Sequence, residues 1–549
     1  MKLGKKINLK NLIKWTSCDC SNLSTIFKNT KDFKDKSFNQ VTIDSISTDS
    51  RTIKMGDFFI PIVGPNFNGH DFILEAVNKG CSGFIYQQDN KEKVKFLIQN
   101  LSNKENLIIL ESKNNITFLL NLAKNYLKQF NVKTIGITGS YGKTTTKDFT
   151  VNILQKQFKI KYTPQNFNTE IGISKSVLEI NNDTEFFVAE LGMRGKDQIA
   201  ELADVLNLDI AAITAIGPVH LEFFSDIKEI AIEKAKIVNP FKEKIGKNGG
   251  VLFLNNDDMW SDFIENYVNK DMMNNIKNTR IIRFGSFKDK DNDCFIFNSI
   301  DGKNSIDSKK NNKNQLIYRY KIIETDEFSR YTFSFYKYDK KVTEIKVPIA
   351  GIHNVSNACL AAAICFYLGV DKKKIKEGIE KAIISDKRMD VICKNEMIIL
   401  NDCYNANPDS MKCAIDTLKL ISEKHNKRSI ALLADMFELG CRTDEFHYEI
   451  GKYLKEKKID ILIAVGRHAK KIFDGFNQTN DYQTGQKAYY FKSVKDLLNN
   501  LSRLNKLSKN NDKDLNGFNI ICKKDVILIK GSRANKLEEI EELISSKNF

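Results

Sequence analysis

The stretch TGSYGKTTTKDF, Thr138 to Phe149, sets two glycines and a lysine ahead of three threonines. It follows the apolar run TIGIT, Thr134 to Thr138. It opens onto a segment where Phe149, Ile153 and Gln157 share one helical face, widened by Val151, Leu154 and Phe158. That order predicts a buried strand, a glycine loop and a helix. Such a loop lets backbone N–H groups close around phosphate oxygens, and the helix N-terminus adds partial positive charge. Position 137 is Ile, so the strict GxxxxGK[ST] spacing is not met; the shorter GxxGKT stands at Gly139 to Thr144. On this reading Gly139, Ser140, Tyr141, Gly142 and Thr145 surround the phosphates of a nucleotide. Lys143 reaches the β- and γ-phosphates, and Thr144 binds Mg²⁺. The alternative is a glycine turn with a solvated lysine.

Outward from this loop, FFVAELG (Phe186 to Gly192), IAAITAIG (Ile210 to Gly217) and GVLFLNNDD (Gly250 to Asp258) read as further strands with helical patterns between them. Alternating strands and helices predict an α/β protein with a parallel, doubly wound sheet. Upstream, from about Val41 to Tyr86, short apolar runs and turn signals predict a small α/β domain, followed by a polar helical stretch to about Phe130. Downstream, MIILND, SIALLADM, ILIAVG and DVILIKGS are strand candidates of a third, Rossmann-like α/β domain that starts near Asp386. The expected domains are 1–131, 132–385 and 386–549. Two Asn/Lys/Asp-rich stretches, within 287–315 and 501–519, read as surface insertions.

Bulk properties fit several cores. The chain has 549 residues, 42% of them hydrophobic, and a formal charge of +16. Such a charge raises the question of a polyanion partner. The lysines, however, are spread among asparagines and acids, with no clustered basic groove interleaved with aromatics, so no nucleic-acid partner is expected. Eleven cysteines without CxxC pairs read as reduced thiols. No apolar stretch of about 18 residues occurs, so neither membrane insertion nor a signal peptide is expected, and the expected compartment is the cytoplasm.

Carboxylates just past buried strands are the next clue, since a Mg²⁺-nucleotide takes hard oxygen ligands. Glu190 ends FFVAE, His220 follows a strand in GPVHLEFF, and Lys234 lies in the helical KEIAIEKAKI. Singly, these read equally as a strand-end carboxylate, a structural histidine and a surface lysine. Together with STDSR, GPNFNGHDF, NFNTEIGI, AELGMRGKDQIAEL, GIHNVSNACLAA, KRMD, NDCYNANPDSM, LLADMFELG and KGSR, they form an ordered series. In it the chain resembles the Mur ligase family of ATP-dependent amide-forming enzymes of peptidoglycan synthesis.

The resemblance implies a small UDP-substrate-binding domain, a central P-loop ATPase-like domain and a C-terminal ligase domain. YNANPDSM points to the branch that adds D-alanyl-D-alanine to UDP-N-acetylmuramoyl-tripeptide through an acyl phosphate, giving ADP and phosphate. It further implies two Mg²⁺ ions: Glu190 holds one with Thr144, His220 binds the second, and Lys234 matches a lysine that is carbamylated in several members. Asn354, Asn357, Arg388, Asp402, Asn405 and Asn407 correspond to the nucleotide surroundings. Ser50, Arg51, Asn68, Gly69 and His70 correspond to the uridine diphosphate site. Asn168 keeps the first of the family's two adjacent asparagines, while Thr169 replaces the second. Asp435 and His447 are candidates for the dipeptide region, against the alternatives of a helix-capping Asp and a surface His. A monomer whose third domain swings onto ATP is expected. The rivals are a sibling ligase of the same fold, a nucleic-acid-binding P-loop ATPase, and a catalytically inactive scaffold.

Overall fold

In a computed structural model, the described residues are 1–18, 41–99, 107–244, 249–272, 279–287, 317–385, 387–394, 396–478, 485–500 and 520–546. Nearly all of both expected insertions lies outside this set. Strands are numbered in chain order. The first sheet has the order β1-β2-β3-β6-β7, formed by Lys2–Asn8 (β1), Thr42–Ser47 (β2), Phe58–Phe59 (β3), Gly83–Gln87 (β6) and Ile108–Ser112 (β7). Val63–Gly64 (β4) and Phe67–Asn68 (β5) form a separate two-stranded ribbon. β7 corrects the expectation of a purely helical stretch between Tyr86 and Phe130. Its alternation is masked by charged neighbours, and it gains its partner only by adding to β6 in parallel. β1, too, was hidden in the basic N-terminal text. It pairs antiparallel with β2.

The central sheet has nine strands in the order β16-β15-β14-β13-β12-β11-β8-β10-β9. These are Lys133–Thr138 (β8), Ile160–Tyr162 (β9), Phe186–Glu190 (β10), Ile210–Ile213 (β11), Val251–Asn255 (β12), Arg280–Ser286 (β13), Tyr318–Thr325 (β14), Tyr331–Lys337 (β15) and Lys340–Lys346 (β16). From β9 to β14 the neighbours run parallel, and β14 to β16 close the edge as an antiparallel meander. Parallel strands must be covered on both faces, which is why their text is continuously apolar. Alternate residues accordingly enter two cores. Phe187, Ala189, Ala211 and Leu252 face one, and Ile135, Ile137, Val188 and Phe253 face the other. The second core is filled by the helices Lys143–Leu154 and His353–Tyr367, both buried along most of their length.

The first sheet is fastened to the central one through a shared core in which Leu3, Ile7, Ile43 and Phe58 join Leu178 and Ile180. Tyr126 Oη donates to Ile180 O at 2.8 Å, and Gly4 N–H donates to Leu178 O at 2.9 Å. The C-terminal sheet has six strands in the order β17-β18-β22-β19-β20-β21, from Asp390–Lys394 (β17), Met397–Asp402 (β18), Arg428–Ala434 (β19), Ile461–Val465 (β20), Lys487–Phe491 (β21) and Asp525–Lys530 (β22). Only β17 is antiparallel to its neighbour. The four strands expected in this region are β18, β19, β20 and β22. Among the described residues no helix is long and apolar enough to cross a membrane, and the cysteines described are all free.

Candidate active site

β8 lies inside the central sheet, with β10 on one side and β11 on the other, so chain crossovers leave in both directions and open a crevice at the strand ends. The loop 139–142 fills that crevice. Gly139 has φ +150° and Gly142 φ +80°. A Cβ at Gly139 would stand 2.0 Å from Thr214 Oγ1, and one at Gly142 2.4 Å from Asn357 Oδ1, so both positions exclude a side chain for space as well as conformation. Ser140 N–H donates to Ala215 O at 2.7 Å. Ser140 Oγ donates to Gly217 O at 3.0 Å and accepts from Gly217 N–H at 2.9 Å. Thr214 Oγ1 donates to Tyr141 O. From the far side, Asn357 accepts from Thr146 Oγ1 at 3.4 Å and donates to Asn354 Oδ1 at 3.1 Å, while Asn354 Nδ2 donates to Ala350 O at 2.7 Å. The two asparagines therefore brace the loop in this structure.

Lys143 begins the helix and folds its ammonium back over the loop, donating to Gly139 O at 2.7 Å. Parallel register sets Glu190 of β10 opposite Ile137 of β8, beside the loop's exit. Thr144 Oγ1 donates to Glu190 Oε2 at 2.6 Å, and Asn168 Nδ2 donates to Glu190 Oε1 at 3.1 Å. From the C-terminal sheet's side, Arg388 Nη2 donates to Thr144 Oγ1 at 2.8 Å, its guanidinium lying 4.2 Å from the centre of the Tyr404 ring. Burial pushes the Glu190 carboxyl up, yet the nearby Lys143 and Arg388 cations outweigh it and hold the group below its usual range, so it stays an anion. Burial lowers Lys143, opposed by Glu190.

Lys234, in the helix Ile227–Ala235, is 1% exposed, and its side-chain amine makes no hydrogen bond or ion pair among the described residues. Burial, then repulsion from Lys143, pushes its amine well below the ordinary lysine range. His220 adopts φ +57°, strained for a residue with a side chain. Its Nδ1 lies 2.5 Å from Glu438 Oε2, an ion-pair distance without hydrogen-bond alignment. Burial pushes the imidazole down, with Glu438 opposing. A hydroxyl and a carboxylate 2.6 Å apart are the hard donors that Mg²⁺ takes, so Thr144 and Glu190 fit one ion. Among the described residues no group of three or more His, Cys, Asp or Glu stands ready for a metal, while Lys234 is near enough to act electrostatically on His220 and to be acted on by Glu190.

The remaining predicted residues divide. Asp402 accepts from buried Lys530 Nζ at 2.5 Å, and the same ammonium donates to Asn405 O at 3.1 Å. Among the described residues no hydrogen bond joins Asp402 or Asn405 to the loop. Asn407 caps the helix Pro408–His425 in a capping box with Ser410. In the first sheet's region Ser50 Oγ donates to Glu75 Oε2 at 3.0 Å, and exposed Arg51 pairs with Asp49 through two nitrogens at 2.9 and 2.7 Å. Asn68 Oδ1 accepts from His70 N–H at 3.0 Å and lies 2.7 Å from His70 Nδ1. His70 Nε2 accepts from Gln87 N–H at 3.0 Å, so this buried ring is a brace. A Cβ at Gly69 would meet Ile62 N at 2.6 Å.

Asp435 and His447 are given over to backbone. Asp435 accepts from Arg467 N–H at 3.1 Å and Ala469 N–H at 2.7 Å. His447 is buried, accepting from Met436 N–H at 2.9 Å and reaching Thr443 O at 2.7 Å through its other nitrogen. Sequence reading passed over Glu438, Tyr404 and Lys530, although each lies in or beside a quoted motif. A functional residue inside a motif is told from its structural neighbours only by what stands opposite it.

Comparison with known proteins follows this layout. Residues 42–125 match the model "Mur ligase family, catalytic domain", 137–365 "Mur ligase middle domain", and 387–533 "Mur ligase, glutamate ligase domain". The chain is 29% identical over 511 residues to the UDP-N-acetylmuramoyl-tripeptide--D-alanyl-D-alanine ligase of Bacillus subtilis (strain 168), covering 93% of this chain and 95% of that one. It is 28% identical over 502 residues to the protein of the same name from Rickettsia prowazekii (strain Madrid E), covering 91% and 95%. Among solved structures, MurF from Acinetobacter baumannii superposes with a TM-score of 0.75 at 24% identity over the whole of both chains. MurF ligase from Thermotoga maritima in complex with ADP gives 0.67 at 22% identity, covering 92% and 97%.

Proposed function

The chain belongs to the Mur ligase family, and on that premise we propose that it joins D-alanyl-D-alanine to UDP-N-acetylmuramoyl-tripeptide at the expense of ATP, in cytoplasmic peptidoglycan precursor synthesis. The observation that carries the reading is the Lys143–Thr144–Glu190 constellation at a strand-end phosphate loop, reached from the C-terminal sheet by Arg388. Full-length similarity to relatives named for this reaction supports it.

The tripeptide's terminal carboxylate attacks the γ-phosphorus of ATP, the bond to the β-phosphate oxygen breaks, and an acyl phosphate and ADP form. The amine of the dipeptide then attacks the acyl carbon, phosphate leaves and the amine sheds a proton. Two anions meet in the first step, so neutralising charge is the main task. Lys143 leaves Gly139 O to reach the β- and γ-phosphates, backbone N–H groups of the loop cradle them, and Arg388 supplies a second cation. Mg²⁺ on Thr144 and Glu190 would supply further neutralisation, with a second ion on His220 and Lys234. Lys234 suits carbamylation because burial weakens its amine's hold on a proton, and it is the deprotonated amine that adds CO₂. An N–C bond forms, one proton leaves, and the product is a carboxylate. Arg388 on Thr144 brings the C-terminal sheet down over the loop and limits water, which would destroy an acyl phosphate.

We place the domain limits at 1–131, 132–385 and 386–549 and read the chain as a monomer. Ser50, Arg51, Asn68, Gly69 and His70 frame the uridine diphosphate end. Asn168 orients Glu190. Asn354, Asn357, Asp402 and Asn405 shape the nucleotide surroundings. Phosphate release is the direct test, with ATP, Mg²⁺, D-Ala-D-Ala and UDP-MurNAc-tripeptide carrying either diaminopimelate or lysine. Release that needs both peptide substrates is expected with at least one tripeptide. Release with neither, or release stimulated by DNA or RNA, sinks the reading.

A further inference from the structure

We propose that Asp148 and Asn152, on the helix that begins at Lys143, are positioning residues that hold Arg388 over the phosphate loop. The role given to Arg388 rests on the ligase reading above. Thr144, Asp148 and Asn152 stand four residues apart in the helix Lys143–Leu154, so they form one stripe along its surface. Their partners come in reverse chain order. Arg388 Nη2 donates to Thr144 Oγ1 at 2.8 Å. One turn on, Asp148 Oδ2 accepts from Ser385 N–H at 3.0 Å and from Ser385 Oγ at 2.6 Å. A further turn on, Asn152 Oδ1 accepts from Ile383 N–H at 3.3 Å, and Asn152 Nδ2 donates to Ile383 O at 3.2 Å. The chain leaving the central sheet therefore runs antiparallel to the helix that carries the loop, and it delivers Arg388 to that helix's first turn.

Ile383 is 84% exposed, so at that position amide pairing and not apolar burial fixes the backbone; its neighbour Ile384 leans on the central sheet's second core. Asp148 is itself buried, with Lys147 Nζ 3.1 Å from its Oδ1, which leaves Oδ2 to the strap. Past Ser385 the anchors belong to the C-terminal sheet. Met389 is buried in that sheet's core, and Lys387 Nζ pairs with Glu538 at 3.1 Å. Lys387 has φ +63° and Met389 φ +57°, so the backbone is left-handed on both sides of the arginine. Such strain persists only where the surroundings hold it. Four residue steps separate Ser385 from Met389, a span of at most about 14 Å. With both ends fixed, Arg388 is confined near Thr144. The hydrogen bonds that brace 139–142 run instead to Thr214, Ala215 and Gly217. The strap therefore acts on Arg388 and not on the cradle.

Two measurements separate positioning from plain structural support. Phenylglyoxal labels Arg388 in the substrate-free chain, with the modified peptide counted by mass spectrometry. Phosphate release with ATP, Mg²⁺, D-Ala-D-Ala and UDP-MurNAc-tripeptide gives kcat and KM. Asp148→Asn should speed labelling of Arg388 by about threefold or more, because the strap opens more often. It should lower kcat about tenfold, as loss of a hydrogen bond to a charged group does, with KM for ATP within about twofold. In an Arg388→Ala background the same substitution should change kcat by less than about twofold, since the two residues act as one unit. Unchanged labelling, an unchanged kcat, or losses that multiply in the double variant overturn the inference. Ser385→Ala and Asn152→Ala run through the same cycle with the Asp148–Lys147 pair intact, so they decide the matter where Asp148→Asn folds poorly. A wild type that releases no phosphate overturns the ligase reading, and the labelling rates alone then decide whether the strap holds Arg388.

Discussion

The phosphate loop and the seam facing it are built in opposite ways. Residues 139–144 are contiguous, and their geometry follows from two glycines with positive φ between a buried strand and a helix. The seam joins Thr144 to Arg388, His220 to Glu438 and Tyr404 to Asn166, pairs separated by more than two hundred residues. A contiguous motif carries its own conformation. A seam exists only when two separately folded sheets present the right side chains to each other.

The largest expected effect breaks the loop. Lys143→Ala should lower phosphate release by about a thousandfold or more, as loss of a charge-stabilising group in the transition state does, while circular dichroism stays native. Retention of more than a tenth of the activity would mean the loop is only a turn. Next, Lys234→Ala should lose about a hundredfold and recover in part with added acetate or formate, a free carboxylate standing in for the carbamate. Full activity without rescue removes the carbamate. Gly142→Ala should cost about 1–3 kcal/mol of stability, from a disfavoured φ and the approach to Asn357 Oδ1. Thermal melting checks it, and an unchanged melting temperature would show a loop softer than described.

The smallest effect sharpens the seam. Asp258 follows β12 and Asp409 opens the helix Pro408–His425. Both are acids in confined surroundings near Tyr141, Cys413, Lys412 and Asp257. Burial pushes Asp258 up to about 7 and Asp409 up to about 6, with Asp409 adding to the rise at Asp258. A raised folded-state acid binds more protons than its unfolded form. Stability therefore falls as pH rises through the interval between the ordinary carboxylate value and about 7. Melting temperature should drop from pH 5 to pH 8 on this account, and Asp409→Asn should flatten the drop by a few degrees, of order 1 kcal/mol. Equal slopes in both proteins would detach these carboxylates from the seam's stability.

Legibility in the sequence tracked the same division. β8, β10, β11 and β12 stood out because parallel strands covered on both faces read as continuous apolar runs. β18, β19, β20 and β22 did so for the same reason. β7 and β1 did not, since each lies at an edge of its sheet with charged text around it. The Lys143, Thr144 and Glu190 set was legible as types at positions. The hydrogen bond between Thr144 and Glu190 was not, because it depends on β10 lying beside β8 rather than beside β11. His447 read as a surface residue or a dipeptide contact and is a buried brace. A lone histidine's neighbours are set entirely by packing.

By itself the sequence determined the strand–loop–helix unit, the apolar runs that require two covered sheets, and the residue types able to neutralise phosphate. Local conformation and hydrophobic pattern are short-range properties written in consecutive residues. Only the tertiary structure decided which carboxylates are already committed, which lysine is buried without a partner, and which residues meet across the seam. Those outcomes depend on distances between segments far apart in the chain, and no local pattern encodes them.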